Sequence, residues 1–319
     1  MVMAQQLSDR RMKEIFGADV FVGDVFANER MKDHTTLRIG GPADIYVMTK
    51  NILSLKNLFI VLTDEGIPVM PVGAGSNLLV SDEGIRGAII STANLNHIET
   101  IEESGDEMRL FVEAGAPLQK LVNLATAQGY GGMEGLAGIP GLMGGALWGN
   151  AGSFGQEIGD IVESVTVIDG RGKVFSIDRD NLGFGYRRSA IPDGTIVLSA
   201  NVRFEKDDPR EVAKRVSDFL QEKLRKQPVS QFSAGCVFKN PPGAHAGRLI
   251  DEAGCKGMRR GDVEVSSLHA NFFINTGNGK ATDFLGLMEE VKERVMKHFR
   301  VELEPEIRIV GRFGSADNR

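Results

Sequence analysis

The sequence is poor in cysteine and histidine, and it lacks any long apolar run. Its 319 residues include only 2 cysteines, Cys236 and Cys255, and 5 histidines. Two cysteines cannot form a disulfide framework, and no CxxC or HExxH spacing occurs, so no metal site is expected. No segment reaches the roughly 18 apolar residues of a membrane helix, and the first residues lack the apolar core of a signal peptide. We therefore expect a cytoplasmic protein with no membrane partner.

An excess of basic residues is also missing. Lys and Arg total 37 against 43 Asp and Glu, which gives a net charge of −6. Binding to nucleic acid regardless of sequence depends on basic surface, so no nucleic-acid partner is expected. With 42% hydrophobic and 25% charged residues, the composition is that of a globular protein. The length predicts two domains, or three small ones.

Glycine is abundant instead, with 39 residues, and it is concentrated in two segments. The first glycine loop, Gly73-Ala74-Gly75-Ser76-Asn77, follows a predicted strand. The second glycine loop, residues 139–145 (IPGLMGG), lies within a glycine-rich stretch at 131–155 that we expect to be a network of loops around a ligand. Position 78 is Leu78, so the first loop is not a GxGxxG fingerprint. Each loop alone is also compatible with an ordinary turn, but two of them favour a long ligand whose pyrophosphate lies against exposed N–H groups.

Periodicity predicts a mixed α and β organisation. Residues 1–34 are predicted as a helix-like lead-in. Alternating or β-branched runs predict strands at 43–48, 69–72, 87–91, 108–113, 162–169, 173–177, 195–205 and 271–275. Helical spacing predicts helices around 55–62 and 118–128, from 210 to about 228, at 248–253 and from about 283, the last with Thr282 or Asp283 as its N-cap.

Three side chains are candidates for chemistry, although each has a simpler interpretation by itself. Cys236 follows a polar turn and alone is most simply a buried, inert thiol. Glu306 lies after a proline on a predicted strand and alone is a solvated carboxylate. Arg187 belongs to the run Tyr186-Arg187-Arg188-Ser189, which alone is a basic loop. These three residues become informative only together with the rest of the chain.

Nine motifs in order resemble the family of UDP-N-acetylenolpyruvoylglucosamine reductases. They are TTLRIGG, PVGAGSNLLV, GIPGLMGG, GNAGSFG, GYRRS, AGCVFKNP, AGRLIDEAGCKG, VSSLHANFFIN and LEPEIRIVG, and they span nearly the whole chain. The resemblance implies an α+β fold: a two-subdomain FAD-binding fold of the vanillyl-alcohol-oxidase type, followed by a smaller α+β substrate domain. The implied divisions are 1–92, then 93–208 joined by a C-terminal strand at 303–319, then 220–302.

The resemblance also implies a reaction. Members of this family hold FAD without a covalent link, and NADPH, the co-substrate, reduces it. The enolpyruvyl group of a UDP-sugar then receives hydride from flavin N5 at C3 and a proton at C2, which yields UDP-N-acetylmuramate for peptidoglycan synthesis.

Site residues follow from the match of motifs, position by position. The implied catalytic residues are Arg187, Cys236 and Glu306. The implied cofactor-binding residues are Gly73, Ala74, Gly75, Ser76, Asn77, Ile139, Pro140, Gly141, Gly144, Gly145, Asn150 and Gly152. The implied substrate-binding residues are Tyr186, Lys226, Asn240 and His269, with Arg225 as an alternative to Lys226.

The chain departs from the family pattern at the proton donor. Most members carry a serine where this chain has Cys236, so the resemblance assigns the proton at C2 to a thiol. No tyrosine follows Tyr186, so the chain is similar to members without the mobile tyrosine loop. Two alternatives stay open: a related flavin oxidase, and a flavin-binding or sugar-nucleotide-binding module without catalysis. Many such oxidases tether FAD through a histidine near the first glycine loop, and none lies between His34 and His97.

Overall fold

The computed structural model describes residues 15–17 and 21–313 of the chain. These residues form two compact units that alternate along the sequence. The first unit contains residues 15–17, 21–27, 45–74 and 87–222. The second unit contains residues 28–44, 75–86 and 223–313.

The α-helices of the described residues range from 6 to 19 residues in length. They are α1 (Ile52–Asp64), α2 (Leu118–Gln128), α3 (Met143–Trp148), α4 (Pro209–Lys226), α5 (Ala246–Glu252) and α6 (Ala281–Phe299).

The strands are mostly short. They are β1 (Gly23–Arg30), β2 (Pro42–Thr49), β3 (Val69–Val72), β4 (Leu78–Val80), β5 (Ile85–Ser91), β6 (Ile98–Ser104), β7 (Glu107–Glu113), β8 (Tyr130–Gly131), β9 (Gly152–Ser153), β10 (Gln156–Glu157), β11 (Val162–Asp169), β12 (Val174–Asp178), β13 (Thr195–Lys206), β14 (Phe232–Cys236), β15 (Arg259–Arg260), β16 (Val263–Val265), β17 (Phe272–Asn275) and β18 (Arg308–Val310).

Antiparallel pairing dominates the first unit. Strands β12-β11-β13-β7-β6 form one sheet in that order, with β8 paired to β13. The inward residues of β7, β11 and β13 pack on α2, which ends at Gly129 in the left-handed conformation typical of a helix C-terminus. A second sheet has the order β1-β2-β5-β3, in which β3 and β5 run parallel. Strand β3 leads directly into Gly73, so this sheet sets the start of the first glycine loop.

The second unit is built around a four-stranded antiparallel sheet with the order β14-β17-β16-β15. Helix α6 buries one stripe in the same core as Phe273 of β17. That stripe consists of Phe284, Leu287, Met288, Val291 and Val295, the residues that the 3.6-residue period predicts. Strands β4 and β18 form a short parallel pair; β4 begins directly after Asn77, and β18 begins two residues after Glu306.

Most of the predicted strands and helices are confirmed, but four predictions need correction. Residues 23–30 form β1 rather than a helix-like lead-in, while residues 1–14 and 18–20 of that prediction lie outside the described residues. The stretch 131–155 contains helix α3 and the β9–β10 hairpin, so it is not only loops. Strand β18 begins at Arg308, after Glu306.

The fourth correction concerns the start of α6. The N-cap residue is Lys280, which makes no side-chain cap, rather than Thr282 or Asp283. Asp82 takes that role from a distant point of the chain: Ala281 N donates to its Oδ1 at 2.8 Å, and Thr282 N donates to its Oδ2 at 3.0 Å. A carboxylate at a helix N-terminus satisfies free N–H groups and the positive end of the helix dipole.

Candidate active site

In the first unit, the two glycine loops meet. A Cβ built on Gly73 would lie 3.4 Å from Cβ of Leu142, so the backbone of the first loop lies against the second loop. Ala74, the next residue, is half-buried. The sequence predicts that both loops serve one ligand; the loops are neighbours at this point, and the shared ligand stays a prediction.

The second glycine loop is tied to the chain that enters α2. Leu118 N donates to Gly141 O at 3.1 Å, and Gly144 N donates to Ala114 O at 2.7 Å. A Cβ on Gly144 would lie 3.1 Å from the Ala114 Cβ, which leaves little room for a larger residue. Around a Cβ built on Gly145, by contrast, no described atom lies within 4 Å apart from the adjacent residues and the backbone of α3 itself. Helix α3 therefore has a bare backbone face at Gly145. Ile139 and Pro140 precede it on the same loop.

Asn150, Gly152, Tyr186 and Arg187 lie close together in this unit. Asn150 is fully buried, and its Nδ2 donates to Gly185 O at 3.0 Å and to a carboxylate oxygen of Glu157 at 2.5 Å. Arg187 has a left-handed backbone, with φ of 55°, and its Nη1 donates to Gly152 O at 2.9 Å. Its guanidinium carbon lies 5.7 Å from the centre of the Tyr186 ring. The structure thus connects a predicted catalytic arginine to the predicted cofactor segment.

A buried carboxylate that the sequence analysis missed organises the glycine-rich stretch. Glu134 is 3% exposed and accepts two hydrogen bonds from Arg215, at 2.6 and 3.0 Å. Its other oxygen accepts from Gly132 N at 2.9 Å and from the side chain of Gln156 at 3.1 Å, while Gln156 in turn accepts from Gly135 N. Burial alone raises the pKa of Glu134, but the hydrogen bonds, led by those of Arg215, bring it below its ordinary value.

In the second unit, the first glycine loop continues through Gly75, Ser76 and Asn77. Gly75 has φ of +62°, and a Cβ there would overlap the carbonyl oxygen of His34, so only glycine fits. Asn77 Nδ2 donates to Glu306 O at 3.2 Å. The end of the loop therefore contacts the main chain of the predicted catalytic glutamate, although 229 residues separate the two in sequence.

The second unit also contains a cavity of about 440 Å³, which we name the substrate cavity because two of the predicted substrate-binding residues, Asn240 and His269, line it. Cys236, Asn240 and His269 line it. Its charged lining residues form two ion pairs, Arg248–Glu252 at 2.7 Å and Lys256–Asp251 at 2.6 Å. The cavity therefore joins a thiol, an amide and an imidazole that the sequence placed in one reaction.

Lys226 is not among the residues that line the substrate cavity. It is exposed at the end of α4, next to Gln227. Gln227 lines a second cavity, of about 590 Å³, which shares Leu268 with the substrate cavity.

Cys236 is half-buried at the end of β14, where it pairs with Phe272 after a β-bulge. Glu306 lies near this point because its N–H donates to Val237 O at 2.8 Å. Asn240 faces the same cavity while its Oδ1 accepts from Ala246 N at 2.9 Å, which holds the first turn of α5. Two of the three predicted catalytic residues are thus neighbours through one backbone hydrogen bond.

His269 is held in one orientation on the cavity wall. Its ring packs edge-on against Phe272, with centroids 4.9 Å apart, and its Nδ1 faces Asn271 N at 3.3 Å. Because Nδ1 accepts that bond, the proton of the neutral ring is on Nε2. Burial lowers the pKa of His269, and the positive charge of Lys256 lowers it further. His269 therefore offers the cavity a neutral N–H donor.

Within the described residues, no group of three or more His, Cys, Asp and Glu side chains is placed to hold a metal ion. Over the same part of the chain, every helix is too short or too polar to cross a membrane.

Two family models match different parts of this chain. Residues 43–178 match the FAD binding domain, and residues 227–310 match the C-terminal domain of UDP-N-acetylenolpyruvoylglucosamine reductase. These matches confirm the expected fold class, an FAD-binding part followed by the C-terminal domain of this family. The predicted boundaries of the three divisions stay a prediction.

Whole-chain comparisons agree with the domain matches. The UDP-N-acetylenolpyruvoylglucosamine reductase of Geotalea uraniireducens is 41% identical over 91% of this chain and 95% of its own length. The protein of the same name from Caldanaerobacter subterraneus is 39% identical over 97% of this chain and 99% of its own. The crystal structure of the Thermus caldophilus reductase superposes with a TM-score of 0.75 at 36% identity, covering 90% of this chain and 98% of that one. Both the expected FAD cofactor and the expected class of oxidoreductase are thereby confirmed, and the chain belongs to the UDP-N-acetylenolpyruvoylglucosamine reductase family.

Proposed function

We propose that this chain uses NADPH to reduce the enolpyruvyl group of UDP-N-acetylglucosamine-enolpyruvate to UDP-N-acetylmuramate, a peptidoglycan precursor. The observation that carries the proposal is the substrate cavity, where Cys236, Asn240 and His269 meet and Glu306 is bonded to the residue after Cys236. A thiol on the wall of a cavity, with a glutamate whose main chain is bonded to the next residue, suits proton transfer better than ligand binding alone.

The chain offers FAD a suitable cradle. Gly73 and Leu142 bring the two glycine loops together, and the open face at Gly145 lets a ligand approach the backbone. These loops, with Ile139, Pro140 and Gly141, would hold the dinucleotide, and backbone N–H groups suit its pyrophosphate. When bound, the flavin supplies a hydride, which it obtains from NADPH.

Negative charge on the substrate is the chemical difficulty. Adding hydride to C3 of an enolpyruvyl group leaves a carbanion at C2, delocalised into the carboxylate as an enolate. We assign its stabilisation to Arg187 and Glu306 by the family motif, because fixed hydrogen-bond donors and cations at a developing charge are usually the largest catalytic contribution. The hydrogen bond from Arg187 to Gly152 O fixes its guanidinium in advance. Glu306 acts in its protonated or hydrogen-bonded form, since a bare carboxylate would repel the enolate.

Cys236 then delivers the proton to C2. An ordinary thiol has a pKa of about 8.5, so at neutral pH it is mostly protonated, and it is a far stronger acid than the serine hydroxyl common in this family. Cys236 is half-buried on the cavity wall, where a substrate reaches it. The neutral N–H of His269 and the amide of Asn240 are suited to orient the sugar nucleotide.

A pair of cysteine variants tests this assignment. In Cys236→Ala, NADPH should still bleach the flavin at the wild-type rate, but the enolpyruvyl substrate should fail to restore the colour, because no proton reaches C2. Cys255→Ala is the matched control, since Cys255 is fully buried and its pKa is raised by burial. Stopped-flow absorbance measures both half-reactions. Equal reoxidation rates for Cys236→Ala and Cys255→Ala would disprove the role of Cys236.

A further inference from the structure

Asn271 is a buried amide, 2% exposed, next to β17, and the reaction described above does not use it. Its main-chain oxygen accepts from Val237 N at 2.8 Å. Its side chain pairs with both backbone groups of Phe238: Oδ1 accepts from Phe238 N at 2.9 Å, and Nδ2 donates to Phe238 O at 2.8 Å. The pairing of β14 with β17 ends at Cys236, so Asn271 continues the ladder past the end of the sheet.

The other edge of the same short segment is paired with residues 304–306. Val237 O accepts from Glu306 N at 2.8 Å, and Lys239 N donates to Glu304 O at 2.8 Å. The Val237–Phe238 segment therefore lies between Asn271 on one edge and Glu306 on the other. A shift of this segment would move Cys236 and Glu306 relative to each other.

The third connection is to His269, whose Nδ1 faces Asn271 N at 3.3 Å. One buried residue is thus bonded to His269 directly and to the segment between Cys236 and Glu306. We propose that Asn271 is a positioning residue, whose carboxamide fixes Cys236 relative to Glu306 for proton delivery. This inference rests on the proposed function, because it takes the role of Cys236 from there.

The amide itself, rather than its volume, is the proposed requirement. Asn271→Leu keeps the volume but leaves Phe238 N and O buried without this partner, and a displacement of about 1 Å at a reacting group costs roughly 100-fold in rate. Asn271→Asp still accepts from Phe238 N, but when ionised it places a second oxygen against Phe238 O. Only the protonated carboxyl restores the donor, and burial favours that form.

The Asp variant should therefore recover as the pH falls. The measured quantity is the variant's rate of flavin reoxidation by the enolpyruvyl substrate, divided by the wild-type rate at the same pH. As the pH falls from 8 to 6, this ratio should rise, by up to about tenfold per pH unit as long as the pH is above the pKa of the new carboxyl group. Other ionisable groups face this region: Cys236, His245, His269 and the two ion pairs line the substrate cavity, and Glu306 is bonded through its main chain to Val237. They are present in both proteins, so the ratio cancels their contribution.

Asn275 provides the matched control. It is the last residue of β17, which Asn271 directly precedes; it is 4% exposed, and its Nδ2 also donates to main-chain oxygens, those of Leu37 and Arg38 at 3.1 and 3.3 Å. Asn275→Asp creates the same repulsion against Leu37 O and Arg38 O rather than against the Val237–Phe238 segment. Its reoxidation ratio should stay flat across this pH range, which separates positioning of Cys236 from a general weakening of β17.

The experiment is a stopped-flow series on the full FAD-loaded chain, with the flavin reduced before mixing. The proposal predicts about 100-fold slower reoxidation for Asn271→Leu. For Asn271→Asp it predicts that the rate relative to wild type rises toward low pH. If Asn271→Leu does not fold, the result for Asn271→Asp decides. A flat ratio, or one shared with Asn275→Asp, overturns the positioning role. Cys236→Ala, run beside them, reports on the proposed function separately: wild-type reoxidation in that variant means that the proton-donor assignment has failed, whatever Asn271 does.

Discussion

Removing the positive charge from Arg215 should destabilise the protein through a carboxylate 81 residues away. In Arg215→Met the aliphatic stem remains, but Glu134, 3% exposed, keeps its charge and loses two hydrogen bonds. Breaking a buried ion pair from one side costs about 3–5 kcal/mol. The side chain of Arg215 is 38% exposed, so solvent screens part of the loss, and we expect about 2–3 kcal/mol at pH 8.

The sign of the pH dependence follows from the direction of the pKa shift. In the wild type, hydrogen bonds hold the pKa of Glu134 below its ordinary value, so its contribution to stability is present above the unfolded-state pKa of about 4.3 and is lost as the pH falls through the folded-state pKa. In Arg215→Met, burial dominates and raises that pKa, so the penalty is relieved as the carboxyl takes up a proton. The stability difference between the two proteins should therefore shrink from pH 8 to pH 5.

Urea unfolding of both proteins at the two pH values measures this effect. Arg203→Met is the control, because the ion pair of Arg203 with Glu107 is exposed, at 44% and 43%, and such pairs contribute about 0–1 kcal/mol. The double variant Glu134→Gln with Arg215→Met should regain part of the loss, since no buried charge remains. A loss in Arg215→Met no larger than that in Arg203→Met, or one that does not shrink at low pH, would refute this reasoning.

Three further predictions follow from single positions. Gly145→Ala should keep or slightly raise the unfolding free energy, since the new methyl meets no described atom within 4 Å outside α3's own backbone and the adjacent residues, but it should weaken FAD binding at least tenfold in a fluorescence titration. Unchanged affinity would mean that the cofactor does not cover this face. Asp82→Ala removes the acceptors at the start of α6 and should lower the unfolding free energy by about 1 kcal/mol in urea, whereas no change would mean that water replaces them. In an NMR pH titration, the pKa of His269 should lie below the ordinary histidine value of about 6.5, whereas an ordinary value would contradict its burial. Because such a histidine costs folding free energy as it becomes protonated below pH 6.5, His269→Gln should lose less stability than the wild type as the pH falls.

Local patterns predicted the parts of the fold that depend on local physics. The stripe of α6 and the alternation of β11 each bury one face, and the structure has them where the periods place them. Strand β1 was missed because most of its side chains are exposed and its sequence, GDVFANER, has little β propensity. The backbone hydrogen bonds to β2 stabilise this strand, although its own residues have little β propensity.

Helix α3 was missed for a related reason. Two of its six residues are glycines, each of which costs a helix about 1 kcal/mol relative to alanine. Bonds from Met143 N to Ala116 O and from Gly144 N to Ala114 O hold its first turn from outside. A pattern within a short window cannot show partners that lie tens of residues away.

In the candidate site too, motifs predicted some residues, whereas residues that act through distant backbone partners were not predicted. Motifs identified Cys236, Asn240 and His269, and the structure places all three on one cavity. Asn271 and Glu134 were not singled out, although both organise site segments, because an isolated Asn or Glu in a sequence carries no sign of its backbone partners. The one feature of the sequence that could have indicated Glu134 is that a charged residue stands within a glycine-rich stretch.

The most direct test of the proposed function is the absorbance spectrum of the purified wild-type chain through one cycle. With FAD bound, the protein should be yellow, with a band at about 450 nm. NADPH should bleach that band, and the enolpyruvyl sugar nucleotide should then restore it. A protein that stays colourless after incubation with FAD, or a flavin that NADPH does not bleach or that the sugar nucleotide does not reoxidise, would contradict it.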